Sequence, residues 1–448
     1  MTKVHISDHF TYKNIFKATI FPIVMMVFTS LYVIVDGIFI ANFASDSGFA
    51  AVNLVFPFIM IIGGFGFMMG TGGTALVSKL LGEQQKEKAN RVFSLIIYVT
   101  IGLGIIFSIA GFLLIPTLVK GAAGVAEDAS QEMIDEAILY GRILMSCQVI
   151  YILQNTFQSF FMVAEKTKLG FCFTLGGGIL NMILDAIFIG VLKLGVAGAA
   201  GATIAGYVVA GIGPLIYFIF QRKGIIFLEK PDKDIKNFLQ SAYNGISEFV
   251  SNISMNVVAI IYNIQLLRMY GENGVSTYGI IMYLSFVFVA IFIGYSLGMA
   301  PPVGYNYGAK NKEELHNVLT KSLVIIVVIS VAMAVISFIT ARLFTNVFAK
   351  DNEELANLST YAMRIYSIAF LACGFSIYIS SFFTALNNGT ISGLLSFSRT
   401  FLFQVLFGIT FPLFLPKESI WWAIASAEVV SVFASFLFLM FNKKRYGY

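Results

Sequence analysis

Long apolar runs alternate with short polar stretches along the whole chain. Twelve runs of about 20 residues or more stand out, at 18–43, 51–78, 92–119, 137–163, 169–190, 195–220, 238–265, 275–305, 319–348, 360–386, 390–415 and 420–441. A helix of that length crosses the hydrocarbon core of a bilayer, so the pattern predicts twelve membrane spans. The first run is too long for a signal-peptide core and lacks a clear small-residue cleavage site, which makes it an uncleaved first span. Composition agrees: 58% of the 448 residues are hydrophobic, 12% are charged, Phe occurs 45 times, and mean hydropathy is +0.84. A soluble domain cannot bury so much apolar surface, so the soluble enzyme folds are excluded.

The net charge of +5 changes meaning once it is mapped onto the loops. With the N-terminus in the cytoplasm, 20 of the 29 Lys and Arg fall on the cytoplasmic side and eight outside, with Arg399 inside a span. The asymmetry places both termini in the cytoplasm and a multi-pass protein in the plasma (inner) membrane. The basic residues are a topology signal, and nucleic acid is not an expected partner. The three cysteines lie in apolar runs and the three histidines in polar flanks, with no metal-ligand spacing and no disulfide framework.

A repeat appears at an offset of 226 residues. Gly48 aligns with Gly274, Gly72 with Gly298, Gly82 with Gly308, and Lys86-Glu87 with Lys312-Glu313. Six spans are duplicated, and an even number preserves orientation. The predicted fold is therefore an all-α polytopic membrane protein with twelve transmembrane helices in two parallel six-helix repeats. The N-lobe is 1–221, a basic cytoplasmic linker occupies 222–237, and the C-lobe is 238–448. Parallel repeats around a binding site are a transporter plan.

Four carboxylates remain inside spans: Asp36, Asp185, Glu248 and Glu428. Each costs at least ~2.5 kcal/mol if ionised and facing lipid, so each needs a partner, a cavity or a proton. Asp36 is 19 residues past Lys17, Asp185 is 17 past Lys168, and Thr203 is 19 before Arg222. At ~1.5 Å per residue all three lie about 26–28 Å from the cytoplasmic flank and can converge. Asn181 stands one turn before Asp185, as Tyr32 does before Asp36. Span 4 carries Gln148, Tyr151, Asn155 and Gln158 as a polar stripe, read either as site or as inter-helix hydrogen bonding. Two carboxylates with amide and hydroxyl oxygens suit a monovalent cation such as Na⁺, or they can share protons.

The C-terminal half differs. Asp36 aligns with Tyr262, so the carboxylate site is not duplicated. Glu248, Arg399 and Glu428 reach similar depths, roughly 18–22 Å, and can form a charge cluster. That cluster is either a structural ion pair or a substrate or proton site with one spare glutamate. Asn244, Asn252 and Asn256 share the face of Glu248. The stretch GTGGTALVS (70–78) has no preceding strand and no Gly-Lys-Ser/Thr ending, so close helix packing explains it better than a phosphate loop. No nucleotide site and no catalytic constellation appear, and no cofactor is expected beyond the coupling ion.

Five segments together resemble the multidrug and toxin extrusion (MATE) family. They are Pro22 followed by LYVIVDGIFIANF, the GTGGTALVSKLLGEQ exit from span 2, FMVAEKTKLG, NMILDAIFIG and GVAGAAGATIA. The resemblance covers the whole chain. It implies two six-helix lobes around a cleft and secondary export of organic, often cationic compounds in exchange for Na⁺ or H⁺. It also implies a cation site at Asp36, Asn181, Asp185 and Thr203, with Asn155 nearby, and a bend in span 1 at Pro22. The NorM-like branch carries an aspartate on span 10 that works with a glutamate on span 7. Here Glu248 matches the glutamate but span 10 has no carboxylate, so the chain looks closer to the DinF-like branch.

The expected function is thus cation-coupled multidrug efflux by a monomer that takes small organic substrates and contacts membrane lipids. A lipid-linked saccharide or lipid flippase of the same superfamily is the alternative within this fold, and a passive channel the alternative outside it. Asp36→Asn is expected to abolish coupled export without loss of expression.

Overall fold

The computed structural model describes residues 4–43, 46–123, 130–221, 223–349 and 352–448. Among them there are helices and no strands. The apolar runs become α1 (Tyr12–Phe43), α2 (Asp46–Gly82), α3 (Lys86–Ala123), α4 (Gln131–Ser146) with α5 (Gln148–Val163), and α6 (Thr167–Asp185). Next come α7 (Gly195–Tyr207) with α8 (Gly213–Phe220), the short α9 (Ile235–Asn244), and α10 (Ile246–Gly308). The series ends with α11 (Lys312–Phe348), α12 (Glu353–Ala385), α13 (Gly389–Phe397) with α14 (Phe403–Phe414), and α15 (Ile420–Tyr446). Ten helices are long and apolar enough to span a membrane, and the bent pair α4–α5 makes eleven. The 63-residue α10 is two helices joined at Gly271, and counting both gives the twelve spans that hydropathy predicts.

Two spans depart from the simple pattern. A loop of about nine residues is predicted between spans 7 and 8, yet the chain turns on Gly271 alone, whose φ of 61° and ψ of −150° suit only glycine. Span 4 breaks by 55° at Cys147, where φ −113° and ψ 14° leave the helical range. The break frees the Val149 N–H, and the Ser108 hydroxyl of α3 accepts it at 2.9 Å. In a membrane such a rescue is obligatory for freed backbone.

The repeat is visible in backbone geometry. Gln84 and Lys310, 226 residues apart, both have positive φ (62° and 55°), as do Glu165 and Asn387 (52° and 58°), 222 apart. All four end a helix with the same pair of hydrogen bonds, for example Gln84 N–H to the Leu81 carbonyl and Gln85 N–H to the Leu80 carbonyl. This is the Schellman turn, here recurring at matching places in both halves.

By contacts the chain forms two compact units, Val24–Gly245 and Met1–Ile23 with Ile246–Tyr448. These packing boundaries, at Ile23 and Gly245, differ from the lobes expected from the sequence repeat at 1–221 and 238–448. Within the first unit the linker is held along α3: Phe227 N–H donates to Asn90 Oδ1, Glu229 N–H to Ser94 Oγ, and Asp232 N–H to the Arg91 carbonyl. Arg222, which served to gauge the depth of Thr203, lies outside the described residues. Within the other unit, residues 9–10 are bound to α11. Glu314 accepts the Phe10 N–H and lies 2.6 Å from His9 Nδ1, while Asn317 and Lys321 donate to the Phe10 carbonyl. The Gly70–Ser78 stretch is helical, with Gly70 and Gly73 lying against Ser159 and Phe160 of α5.

Candidate cation site

Glycine brings the site's helices together in the unit Val24–Gly245. Gly177 of α6 and Gly206 of α7 meet backbone to backbone, so that a Cβ on Gly177 would lie 2.6 Å from the Gly206 carbonyl oxygen. On the next residue, Gly178 receives the rings of Phe28 and Tyr32 from α1. One turn past these contacts stand Asn181 on α6 and Asp36 on α1, and Asp185 closes α6 just before a π-helical turn, Ala186–Val191. Wider turns of this kind recur at functional sites because they re-aim side chains and carbonyls.

Asp36 and Asp185 are neighbours, and Asn181 stands beside Asp185 on the same helix face. Asp185 is fully buried (0% exposed) and Asn181 nearly so (3%). Neither carboxylate brings a donor to the other. Both oxygens of Asp185, Oδ1 of Asp36 and both amide atoms of Asn181 are buried without a hydrogen-bond partner. Each such atom costs about 1–3 kcal/mol, more where charge is concerned. Thr203 is 9% exposed, and its hydroxyl donates back to the Ala199 carbonyl at 2.9 Å, leaving its lone pairs available. A narrow cavity beside the pair is lined by Asn181, Thr203, Tyr32, Gln154 and Tyr207. It has room for about one water-sized occupant.

Of the surrounding tyrosines, Tyr32 and Tyr151 are marked by the sequence, and Tyr140 and Tyr207 are not. Tyr140 of α4 interacts electrostatically with both aspartates, and Tyr207 with Asp36. Tyr151 stacks on Tyr207 with centroids 4.7 Å apart. Aromatics at helical spacing read as core, so only the polar atoms beside them could have marked these positions. Gln154 was also missed, although it follows Tyr151 by three residues and so shares its face.

The stripe on span 4 divides. Gln148 donates to the Ile59 carbonyl of α2, Asn155 at 3.4 Å to that of Gly63, and Thr156 to that of Gly66. Asn155, expected near the cation site, faces α2, and Gln154 lines the cavity. The helix rotation sets this: consecutive residues point about 100° apart.

In the other unit, Arg399 Nε donates to Glu428 Oε2 at 2.9 Å, with both side chains largely buried. Arg399 sits in a π-helical turn, Ser398–Leu402. Glu248 interacts electrostatically with Arg399 but, among the described residues, makes no ion pair with it within 4.0 Å. Asn252 and Asn256 donate to backbone carbonyls one turn back, those of Glu248 and Asn252. Pro22 lies inside α1, where it removes the hydrogen bond to the Ala18 carbonyl.

The MatE family model matches residues 22–187 and 249–410. The chain is similar to the multidrug export protein MepA of Staphylococcus haemolyticus, 25% identical over 446 residues that cover 97% of this chain and 95% of that one. It is equally similar, 25% over 451 residues and 98% of its length, to MepA of Staphylococcus aureus, of which it covers 96%. Among solved structures, a MATE protein in complex with MaL6 superposes with a TM-score of 0.92 at 22% identity, over 98% of both chains.

Proposed function

The chain belongs to the MatE family, and we propose that it is a secondary active exporter of small organic compounds, mostly cationic or amphipathic, driven by inward movement of Na⁺ or H⁺. Its relatives are multidrug export proteins, which supports the substrate class and speaks against an enzyme. The observation that carries the coupling is the Asp36–Asp185 pair: a half-buried carboxylate on α1 and a fully buried one on α6, with Asp36 Oδ1 and both Asp185 oxygens unpaired. The charge asymmetry of the loops supports cytoplasmic termini. An acid-free span 10 supports the DinF-like branch.

The same geometry suggests how occupancy becomes movement. A cation or proton between the carboxylates cancels their repulsion and ties α1 to α6. When it leaves, two neighbouring like charges in a poorly screened interior drive the helices apart. Pro22 has already deleted one backbone hydrogen bond of α1, so that helix can bend there at least cost. Substrate is too large for the narrow cavity, and binds elsewhere in the protein. Coupling is therefore mechanical, through the shape of α1.

The test is export of a fluorescent organic cation from proteoliposomes under an imposed Na⁺ or proton gradient, one at a time. Acceleration by one gradient, lost in Asp36→Asn with expression and folding intact, is the expected result. Full export by Asp36→Asn sinks the assignment.

A further inference from the structure

Polar groups continue beyond the carboxylate pair, inside the same unit. The cavity that holds Asn181 runs along α6 past Gly178 and Gly177 to Thr174, two turns away, and Gln154 of α5 lines it as well. One turn further along α5 is Gln158, about 40° round the helix from Gln154. Gln158 is 4% exposed, and neither its amide nitrogen nor its oxygen has a hydrogen-bond partner. The neighbouring helices α5 and α6 run antiparallel, with the Phe161 side chain on Gly170, which sets Gln158 at the level of Thr174. One turn beyond lies an aromatic cluster. Phe161 is enclosed by Phe173, Tyr217 and Phe218, with centroids 5.8, 6.0 and 5.3 Å away.

We propose that Gln154, Gln158 and Thr174 form a second, uncharged station that takes the monovalent coupling cation between the Asp36–Asp185 pair and the cytoplasmic end, with the Phe161–Phe218 cluster as its seal. Neutral amide and hydroxyl oxygens replace water around a monovalent cation, or around a hydrated proton, without trapping it. A third carboxylate there would hold the ion and stop turnover. The unpaired Gln158 amide has a partner whenever the ion, or water accompanying it, passes. The seal keeps the path closed until α6 and α8 shift. This inference rests on the cation-coupled reading of the aspartate pair.

The experiment uses the full-length protein in proteoliposomes. Gln158→Leu keeps the volume and removes the oxygen. Gradient-driven export of the dye is expected to slow about tenfold or more, the scale of one lost hydrogen-bonding group. The Na⁺ or H⁺ concentration that half-protects the protein against heat is expected to stay at the wild-type value, because the aspartates are intact. Phe161→Ala is expected to admit a cation leak without dye, several-fold above wild type. Wild-type export by Gln158→Leu, a shift in its cation protection like that of Asp36→Asn, or a tight Phe161→Ala protein overturns the proposal. Failure of the parent reading looks different: wild-type protein then shows no gradient-driven export at all.

Discussion

The two units carry the same helices and fill them in opposite ways. Counting from the matched turns at Glu165 and Asn387, Gly177 corresponds to Arg399 and Gly206 to Glu428, each 222 residues later. Where one unit closes two helices backbone to backbone, the other joins them with a buried ion pair at 2.9 Å. The π-helical turn at Ser398–Leu402 adds one residue, so beyond it Asp185 corresponds to Gly408 and Asn181 to Gln404. Asp36 corresponds to Tyr262. The Tyr262 ring fills the space at Gly408, 3.1 Å from where a Cβ would be, and its hydroxyl donates to the Gln404 carbonyl. One unit therefore keeps unpaired carboxylate oxygens beside a cavity that an unpaired amide lines, while its counterpart packs a ring there and pairs Arg399 with Glu428. Duplication supplied one frame, and on the proposed reading side-chain choice fitted only one copy for a cation.

The sharpest way to break that contrast is to remove the charge from the responsive copy. Asp185→Asn leaves the shape and takes one carboxylate away, and coupled export is expected to fall by roughly 100-fold, about 3 kcal/mol for a charged ligand. Dye export under each gradient checks it. The matching change in the other unit acts on stability. Glu428→Gln leaves the buried Arg399 without its partner and is expected to cost about 3–5 kcal/mol, read as a lower melting temperature in detergent. The double variant Arg399→Met with Glu428→Leu is expected to recover most of that loss and to transport. A double variant that folds but does not transport makes the pair a functional site instead.

How much of this was legible follows from what each feature costs in a membrane. Twelve spans were readable because apolar length has few other uses. Asp36 and Asp185 stand out as candidates because a carboxylate inside an apolar run is too costly to be incidental, and depth sets Thr203 at their level. The break at Cys147 was not readable. No proline or glycine marks it, and the hydroxyl that rescues Val149 lies 41 residues away. The single-residue turn at Gly271 was hidden by flanking polar residues that looked like loop. That Asn155 faces α2 and Gln154 the cavity was not readable, for one reason. Spacing shows which residues share a helix face, but not which neighbour that face meets.

Smaller effects sharpen the comparison. Gly177→Ala puts a Cβ within 2.6 Å of the Gly206 carbonyl oxygen, forcing α6 and α7 apart. A cost of about 1–3 kcal/mol is expected, with weaker cation protection in the same melting assay, since Asn181 and Thr203 ride on the two displaced helices. Unchanged protection would mean the cavity does not depend on that close approach.

The smallest effect is expected at Glu248, the one buried-span carboxylate of the second unit that has neither an aspartate opposite it nor an ion pair within 4.0 Å among the described residues. If it serves organic cations by attraction alone, its partner is a bulky charge held at a distance. A single exposed-type ion pair of this kind is worth about 0.2–1 kcal/mol. Glu248→Gln is then expected to raise the KM for a cationic dye by no more than about fivefold, to leave a zwitterionic substrate unaffected, and to keep the Na⁺ or H⁺ dependence of the wild type. A shifted ion dependence would mean that the second unit also senses the coupling ion, which its ring-filled counterpart of the aspartate site argues against. The two outcomes separate cleanly because one changes with substrate charge and the other with the driving gradient.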